Sequence, residues 1–511
     1  MGKGRTILIV LASMALGALI AVTAFRKAVV NEGYVGRNLS GSAEWSKLNL
    51  ILRCIDGNYV DTVDYEALSE AAIDAVLAAL DPHSVYMEPQ ILKDSEDDLA
   101  GEFEGIGIQF NVPNDTAIVL EVISGGPSEK IGLKTGDRLL KVDDKVIAGV
   151  KFPQDSMVRR MKGPAGTKVT VTVGRGAEEI PFEITRGKIP THSIDAYFMA
   201  DDTTGYVRLS KFARTTYSEV SLAALDLMAK GMTKMVLDLR DNTGGFFDQA
   251  LLLSNLFLPK DAPVVYMEGR NREREDYNAD GTGFLQNIAL DVLINEGSAS
   301  SSEIVAGAIQ DNARGRIIGR RSFGKGLVQE PMYFSDGSGI RLTVARFYTP
   351  SGRCLQKPYD ENYDYEVYLR YNTGEMYSAD SMKVEKGGII PDVFVPVDTT
   401  RASKFYQACN RKATSMRFAS AYFDSHKDEL SAIGDYDALT KYLDKAGLER
   451  KFLDFARTRD GLVPDSEWAE ERRYMLTQVR ALVGRYSALG DKAYYHIFLD
   501  IDDTFKRAVQ R

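Results

Sequence analysis

Two strand–helix–strand units near the middle of this chain constrain its fold more than any other feature. The buried-type strand Met235-Val236-Leu237-Asp238-Leu239 runs into Gly244-Gly245 and a helical stretch from Gln249 to Leu258, then into Pro263-Val264-Val265-Tyr266. The pattern repeats: Leu290-Asp291-Val292-Leu293-Ile294 leads into helical Ser302 to Gln310 and then Arg316-Ile317-Ile318. Strand, helix, strand twice over predicts an α/β core built on crossover connections.

The chain is too long for that core alone, since 511 residues at roughly 150 per domain imply three to four domains. Apolar residues fall at helical spacing between Ser42 and Leu80 (Leu48, Ile51, Ile55, then Leu68, Ala72, Ala75, Val76), which predicts two or more helices ending near Asp81-Pro82. From Phe103 to about Lys188 the texture changes to short alternating strands punctuated by Gly, a small β-rich domain. Tyr359 to Lys386 is polar and Tyr-rich and reads as a solvated hairpin or loop insertion, and long helical patterns run from Ala402 to Arg511. The expected organisation is a multidomain α/β chain: an N-terminal anchor segment (1–30), a helical segment (31–100), the β-rich domain (101–189), the α/β core (190–400, insertion 359–386) and a C-terminal helical region (401–511).

Thr6 to Phe25 carry no charge and are mostly Ile, Leu, Val, Ala and Met, a run of 20 residues between Lys3/Arg5 and Arg26/Lys27. That length spans a hydrocarbon core and predicts a transmembrane anchor; Val22-Thr23-Ala24 leaves a cleaved signal peptide as the competing reading. Either places the bulk of the chain outside the cytoplasm, in the periplasm or another extracytoplasmic space. The formal charge of −9 disfavours nucleic acid as a partner through the net field. Three scattered cysteines, with no C-x-x-C, make a structural zinc site or redox pair improbable.

Histidine is nearly absent. His83, His192, His426 and His496 stand alone, with no H-E-x-x-H, and no G-x-S-x-G occurs, so neither a zinc enzyme nor an α/β-hydrolase elbow is indicated. A nucleophile would need a base other than histidine. Ser298-Ala299-Ser300-Ser301-Ser302-Glu303 follows an apolar strand and opens an amphipathic helix. A serine there sits beside unsatisfied N–H groups and the positive end of the helix dipole, which suits a developing oxyanion, although serines also cap helices routinely. Lys325 lies between Gly324 and Gly326, among Phe323, Leu327 and Val328. Desolvation in that setting would lower its pKa and let the neutral amine accept a serine proton; the bland alternative is a turn lysine in solvent. Gln329 could orient the amine, but an extended chain would separate the two residues by about 13 Å, so spacing alone does not establish it. Gly244-Gly245 after the first strand could bring a backbone N–H to the site or could be only a tight turn.

Together these motifs resemble the carboxy-terminal processing peptidases, or tail-specific proteases, from roughly Asn58 to Val395. Leu80-Asp81-Pro82-His83-Ser84, Gly105-Ile106-Gly107-Ile108, Leu239 to Gly245, Ser298 to Ile304, Phe323 to Gly326, Tyr348 to Gly352 and Gly388 to Asp392 occur in the family's order. The resemblance implies a crotonase/ClpP-like catalytic core and a serine/lysine mechanism without metal or cofactor. Ser300 would be the nucleophile, Lys325, 25 residues on, the general base, and Gln329 the lysine-orienting residue. The oxyanion donors would be the N–H of Ser301 and that of Gly244 or Gly245. The 359–386 insertion departs from the family pattern and is expected not to touch the dyad.

By the same resemblance the β-rich stretch is a PDZ domain, with Gly105, Ile106, Gly107 and Ile108 as the loop that holds a peptide carboxylate while the peptide adds as a strand. Expected partners are proteins with free C-termini and the membrane, with the terminal helices as candidate dimerisation elements. Two rival functions compete with this one. Ser322-Phe323-Gly324-Lys325 and Lys134-Thr135-Gly136 match penicillin-binding motifs formally, but the order is reversed, Gly324 and Gly326 disfavour a helix, and no S-D-N occurs. A non-catalytic or latent PDZ scaffold or chaperone is opposed by the presence of Ser300, Lys325 and Gln329 together.

Overall fold

The computed structural model describes residues 43–100, 102–112, 115–123, 125–190, 192–359, 363–372, 374–378, 387–398 and 403–510. The anchor expected at Thr6 to Phe25 lies outside them. Among the described residues no helix is long and apolar enough to cross a membrane.

Contacts divide the chain into two compact units, and the division is not the one expected from sequence order. The smaller unit joins the N-terminal helices to a piece of chain from Gln329 to Thr343. Its helices run Ala43–Asn58 and Tyr65–Ala78, the second capped by the Asp64 carboxylate, which accepts from the Ala67 N–H. A short strand, Val85–Met87, pairs antiparallel with residues 339–341. Just before it, Asp81 accepts hydrogen bonds from the N–H groups of His83 and Ser84 and from the Ser84 hydroxyl, which fixes the Leu80–Ser84 turn.

The larger unit contains an α/β core, with one correction: Pro263–Gly269 is not among its strands but pairs antiparallel with Arg272–Asn278 in a separate sheet, so the connection from Lys234–Asp238 re-enters the core at Ala289–Ile294. Six strands lie in the order Ile194–Met199, Thr204–Leu209, Lys234–Asp238, Ala289–Ile294, Arg316–Gly319, Val393–Phe394. Only the first pair is antiparallel. Alternation along the strands splits their apolar side chains between two faces. Leu237, Val292, Ile294 and Ile317 share a cluster with residues of the helices Thr216–Ala229, Phe247–Phe257 and Ser301–Asp311. Tyr206, Val236, Leu293 and Ile318 face the other way, where Leu499, Phe505 and Ala508 of the C-terminal segment cover them. The sheet is therefore buried on both sides, which its continuous apolar strands require.

The β-rich stretch has its own core of Ile106, Val119, Leu139, Val142, Met157, Val171 and Ile184. Its main path runs Ile108–Asn111, Ala117–Val122, Arg138–Val142, Lys168–Arg175, Glu178–Thr185, so Ile108–Asn111 is an edge strand. Helices from Lys404 onward pack around Phe418, Phe423, Leu439, Phe452 and Val479.

One residue links that helical region to the sheet and carries a pH signature. The His496 ring stacks between Phe198 of the first core strand, 4.1 Å away, and Tyr436, 3.7 Å away. Burial, reinforced by Lys492, pushes its pKa down to about 4. As pH falls from 6.5 towards 4, the unfolded chain binds a proton that the folded chain refuses, so stability is lost across that window and levels off below it. The ring is only half-buried, so the expected loss is on the order of 2 kcal/mol. Denaturation of wild type and His496→Phe at pH 7 and pH 4.5 should show a smaller drop in the variant, and equal drops would refute the assignment.

The Tyr359–Lys386 stretch differs from its expected form. Tyr365 and Tyr368 are exposed, but residues Glu366–Asn372 form a helix, and Arg370 and Glu375 are buried with 2% and 4% exposure. Their partners explain the burial: Arg370 pairs with Glu366, and the Arg321 guanidinium bonds both Glu366 and Glu375. Lys357 completes the cluster, 2.8 Å from Glu366 and over the rings of Phe323 and Tyr363.

Candidate active site

Three neighbouring parallel strands end side by side, and the loops beyond their carboxyl ends meet. Lys234–Asp238 leads to Gly244-Gly245, Ala289–Ile294 to Ser300, and Arg316–Gly319 to Lys325. A crevice outside the carboxyl ends of an α/β sheet is where such folds place ligands.

The serines of the middle loop are not equivalent. Ser298, Ser301 and Ser302 are buried, and each hydroxyl donates to a backbone carbonyl: Ser298 to Leu239 at 2.8 Å, Ser301 to Gly245 at 3.0 Å, Ser302 to Asn242 at 2.9 Å. Ser300 is partly exposed, and its hydroxyl donates to nothing among the described residues. It also stands at φ 56° and ψ −115° as the residue preceding the helix. A positive φ is uncommon for a residue with a Cβ, and such strain tends to persist where a surrounding framework enforces it.

The framework here is Glu303, a residue with no role expected from the sequence. Its carboxylate is fully buried. One oxygen accepts from the Ser322 hydroxyl at 2.5 Å and the Gly324 N–H at 2.7 Å. The other accepts from the Ser300 N–H at 2.8 Å and the Lys325 N–H at 2.9 Å. A single oxygen thus ties the backbone of Ser300 to that of Lys325. Burial pushes the Glu303 carboxyl above its ordinary range, against the pull of its four donors. A signal for it exists in the sequence: Ser300-Ser301-Ser302-Glu303 has the S-x-x-E spacing of a capping box, in which the Glu reaches back to the N-cap N–H.

Gly244 and Gly245 play different parts. A Cβ on Gly244 would lie 2.7 Å from that of Ser300, and one on Gly245 would lie 2.1 Å from the Phe212 carbonyl oxygen, so side chains are excluded at both. The Gly244 N–H donates to the Asn242 side-chain oxygen at 2.9 Å and is therefore committed. The N–H groups of Gly245 and of Ser301, at the first turn of the helix, donate to nothing among the described residues. Of the pair offered by the sequence, Gly245 has the open donor.

Beneath this loop lies a buried ionic cluster. Asp238 accepts from Arg240, Arg208 and the Tyr206 hydroxyl. Burial alone would raise its pKa, but the two guanidiniums hold it well below the usual carboxylate range. Arg240 in turn reaches Asp502 of the C-terminal segment at 2.7 Å, so the motif loop is anchored from the chain's far end.

Gln329 belongs to the smaller unit, where its amide donates to the His83 carbonyl at 2.7 Å. In the β-rich domain the Gly105–Ile108 loop turns its carbonyls inward: Ile106 accepts from Ser128 and Gly107 from the Ile123 N–H. The N–H groups of Ile106 and Gly107 donate to nothing among the described residues. Gly107 has φ 79°, and a Cβ there would meet Ile189 at 2.9 Å. No cluster of His, Cys, Asp or Glu suited to a metal ion occurs among the described residues.

A helix-capping serine whose hydroxyl proton meets no acceptor among the described residues, tied through one carboxylate to a lysine-bearing loop, fits the serine-type peptidases, and comparison with known proteins gives that class: this chain is a serine-type peptidase. It belongs to peptidase family S41, whose model matches residues 203–367. A PDZ domain matches residues 105–185, and the model described as the activating protease CtpB N-terminal domain matches residues 22–91. The chain is 33% identical over 355 residues to a probable CtpA-like serine protease of Staphylococcus aureus strain N315, covering 69% of this chain and 70% of that one. A relative of the same description from Staphylococcus haemolyticus is 34% identical over 311 residues, 60% of this chain and 62% of that one. Among solved structures, a photosystem II D1 C-terminal processing protease is 28% identical, covers 74% of this chain and 92% of that chain, and superposes with a TM-score of 0.40.

Proposed function

We propose that this peptidase is an exported, membrane-tethered endopeptidase that selects protein substrates by their free C-termini. Ser300 attacks the peptide carbonyl, Lys325 takes the hydroxyl proton and passes it to the leaving amine, and water then hydrolyses the acyl-enzyme by the same route. Gln329 orients the amine, and the N–H groups of Ser301 and Gly245 receive the oxyanion. No metal or cofactor takes part. Gly105 to Ile108 bind the substrate carboxylate, with the peptide continuing as a strand along Ile108–Asn111. Thr6 to Phe25 tether the chain, and residues 1–30, 31–100, 101–189, 190–400 and 401–511 act as anchor, helical segment, PDZ domain, catalytic core and helical region, the terminal helices being the dimerisation elements.

The observation that carries the catalytic reading is the contrast among the serines: three hydroxyls are committed, while Ser300's donates to nothing among the described residues and its backbone shares an oxygen of Glu303 with Lys325. The tail-binding reading rests on the two open N–H groups at Ile106 and Gly107. Charge-assisted bonds to a carboxylate are roughly twice as strong as neutral ones, and leaving a desolvated donor unpaired costs about 1–3 kcal/mol. Amidating the C-terminus of an apolar peptide should therefore weaken its binding about 5- to 150-fold. Competition between the free acid and its amide, read as binding and as cleavage rate, tests this; equal behaviour would mean that the domain does not read free C-termini.

A further inference from the structure

We infer that the insertion is a strap whose Arg370 positions the loop carrying Lys325. This rests on Lys325 being the base and adds a residue with no role in the family pattern or in the expectations from sequence. The insertion was expected to stand clear of the dyad, yet its buried guanidinium reaches the base loop directly. Arg370 Nη1 donates to the carbonyls of Arg321 at 3.1 Å and Ser322 at 3.0 Å, and Nη2 donates to that of Phe323 at 3.3 Å. Three successive carbonyls immediately before Gly324-Lys325 thus converge on one side chain.

The hydrogen bonds of this loop then account for each other. Of its donors, the Ser322 hydroxyl and the N–H groups of Gly324 and Lys325 go to Glu303 on the Ser300 side, the Phe323 N–H goes to the Ser298 carbonyl at 2.9 Å, and the Ser322 N–H goes to the Ile389 carbonyl at 3.0 Å. The carbonyls of Arg321, Ser322 and Phe323 go to Arg370 on the insertion side. Glu303 and the Ser298 carbonyl fix the loop relative to the nucleophile, and Arg370 holds the carbonyl side of the same stretch, which no other side chain among the described residues meets at three successive residues. The guanidinium is itself held in place, since Glu366, one turn before it, bonds it at 3.1 Å, while Glu366 and Glu375 both also engage Arg321 within the loop. Lys357 closes the assembly, since its N–H donates to the Gly324 carbonyl at 2.9 Å and its ammonium reaches Glu366. A planar fork that satisfies three carbonyls at once is a geometry lysine cannot reproduce.

A positioning role predicts a split between kinetic constants. With purified full-length protein and a peptide substrate, Arg370→Met should lower kcat about 10- to 100-fold while KM changes less than about threefold, because the base is misplaced and the substrate contacts are not. Arg370→Lys, able to meet fewer carbonyls, should fall between Arg370→Met and wild type. Tyr368→Ser, on the exposed side of the same helix, should be silent. If Arg370→Met does not fold, Arg370→Lys decides alone: a reduced kcat at unchanged KM supports the inference, and a wild-type kcat overturns it. Wild-type kcat in folded Arg370→Met would also overturn it, as would a loss that merely tracks the folded fraction measured by circular dichroism. Lys325→Ala, run alongside, reports separately on the reading beneath: if it retains turnover, Lys325 is not the base, whatever Arg370 does.

Discussion

Ser300→Ala and Lys325→Ala should each lower turnover by on the order of 10⁴- to 10⁶-fold, and the double variant should be no worse than either. Nucleophile and base act as one unit, so removing the second after the first has nothing left to take away. Both residues stand in loops beyond the ends of the core strands, so both proteins should fold and melt close to wild type. Ser298→Ala is the informative contrast. Its hydroxyl accepts from the Asn295 N–H and donates to the Leu239 carbonyl, so its loss should cost stability of about 1–3 kcal/mol with far less effect on kcat. Damage from Ser298→Ala equal to that from Ser300→Ala, or near-normal rates in Lys325→Ala, would contradict the assignment. In the proposed mechanism the base acts as the neutral amine, so the rate should rise with pH, and chelators should leave it unchanged.

Glu303→Gln should have the second largest effect, although the side chain changes by one atom in outline. The carboxylate accepts four hydrogen bonds, two at each oxygen. An amide keeps one acceptor oxygen and turns a donor towards two of the four groups; a backbone N–H facing it is left unpaired at about 1–3 kcal/mol, whereas the Ser322 hydroxyl can turn to accept from it. If the amide nitrogen takes the Ser300 side, the N–H groups of Ser300 and Lys325 lose their common partner, and displacement of about 1 Å is enough to cost roughly 10²-fold in rate. The expected result is a folded, less stable protein with kcat reduced about 10²- to 10³-fold. A variant that kept wild-type kcat and lost only stability would show that Glu303 supports the fold without setting the geometry of the site.

What the sequence revealed, and what it hid, follows from where each signal resides. The parallel strands were legible because a strand buried on both faces must be apolar throughout, as in Met235 to Leu239 and Leu290 to Ile294. Ser300 was narrowed from four candidates only by resemblance; the structure adds a physical distinction, since the other three hydroxyls are committed to carbonyls. Gly244 and Gly245 were inseparable by sequence because the difference is one backbone hydrogen bond to Asn242. The joining of residues 329–343 to the N-terminal helices was invisible for another reason: nothing local in either stretch names a partner some 250 residues away. The insertion misled most. Glu366, Arg370 and Glu375 look like charges of a solvated hairpin or loop until Arg321, 45 residues upstream of Glu366, supplies the pairing that lets them be buried. Glu303 has a local signal, the S-x-x-E spacing from Ser300, but that spacing announces only a helix cap; its bonds to Ser322, Gly324 and Lys325 join it to a loop distant in sequence, which no local pattern encodes.

The most direct test of the mechanism is the site of the covalent intermediate. Incubating the protein with an activated peptide ester, quenching in acid within the burst phase and mapping the added mass by peptide sequencing in a mass spectrometer locates the acyl group. A single adduct on Ser300 is expected, absent in Ser300→Ala and formed far more slowly in Lys325→Ala. An adduct on Ser298, Ser301 or Ser302, or cleavage that proceeds at wild-type rate in Ser300→Ala, would contradict the mechanism.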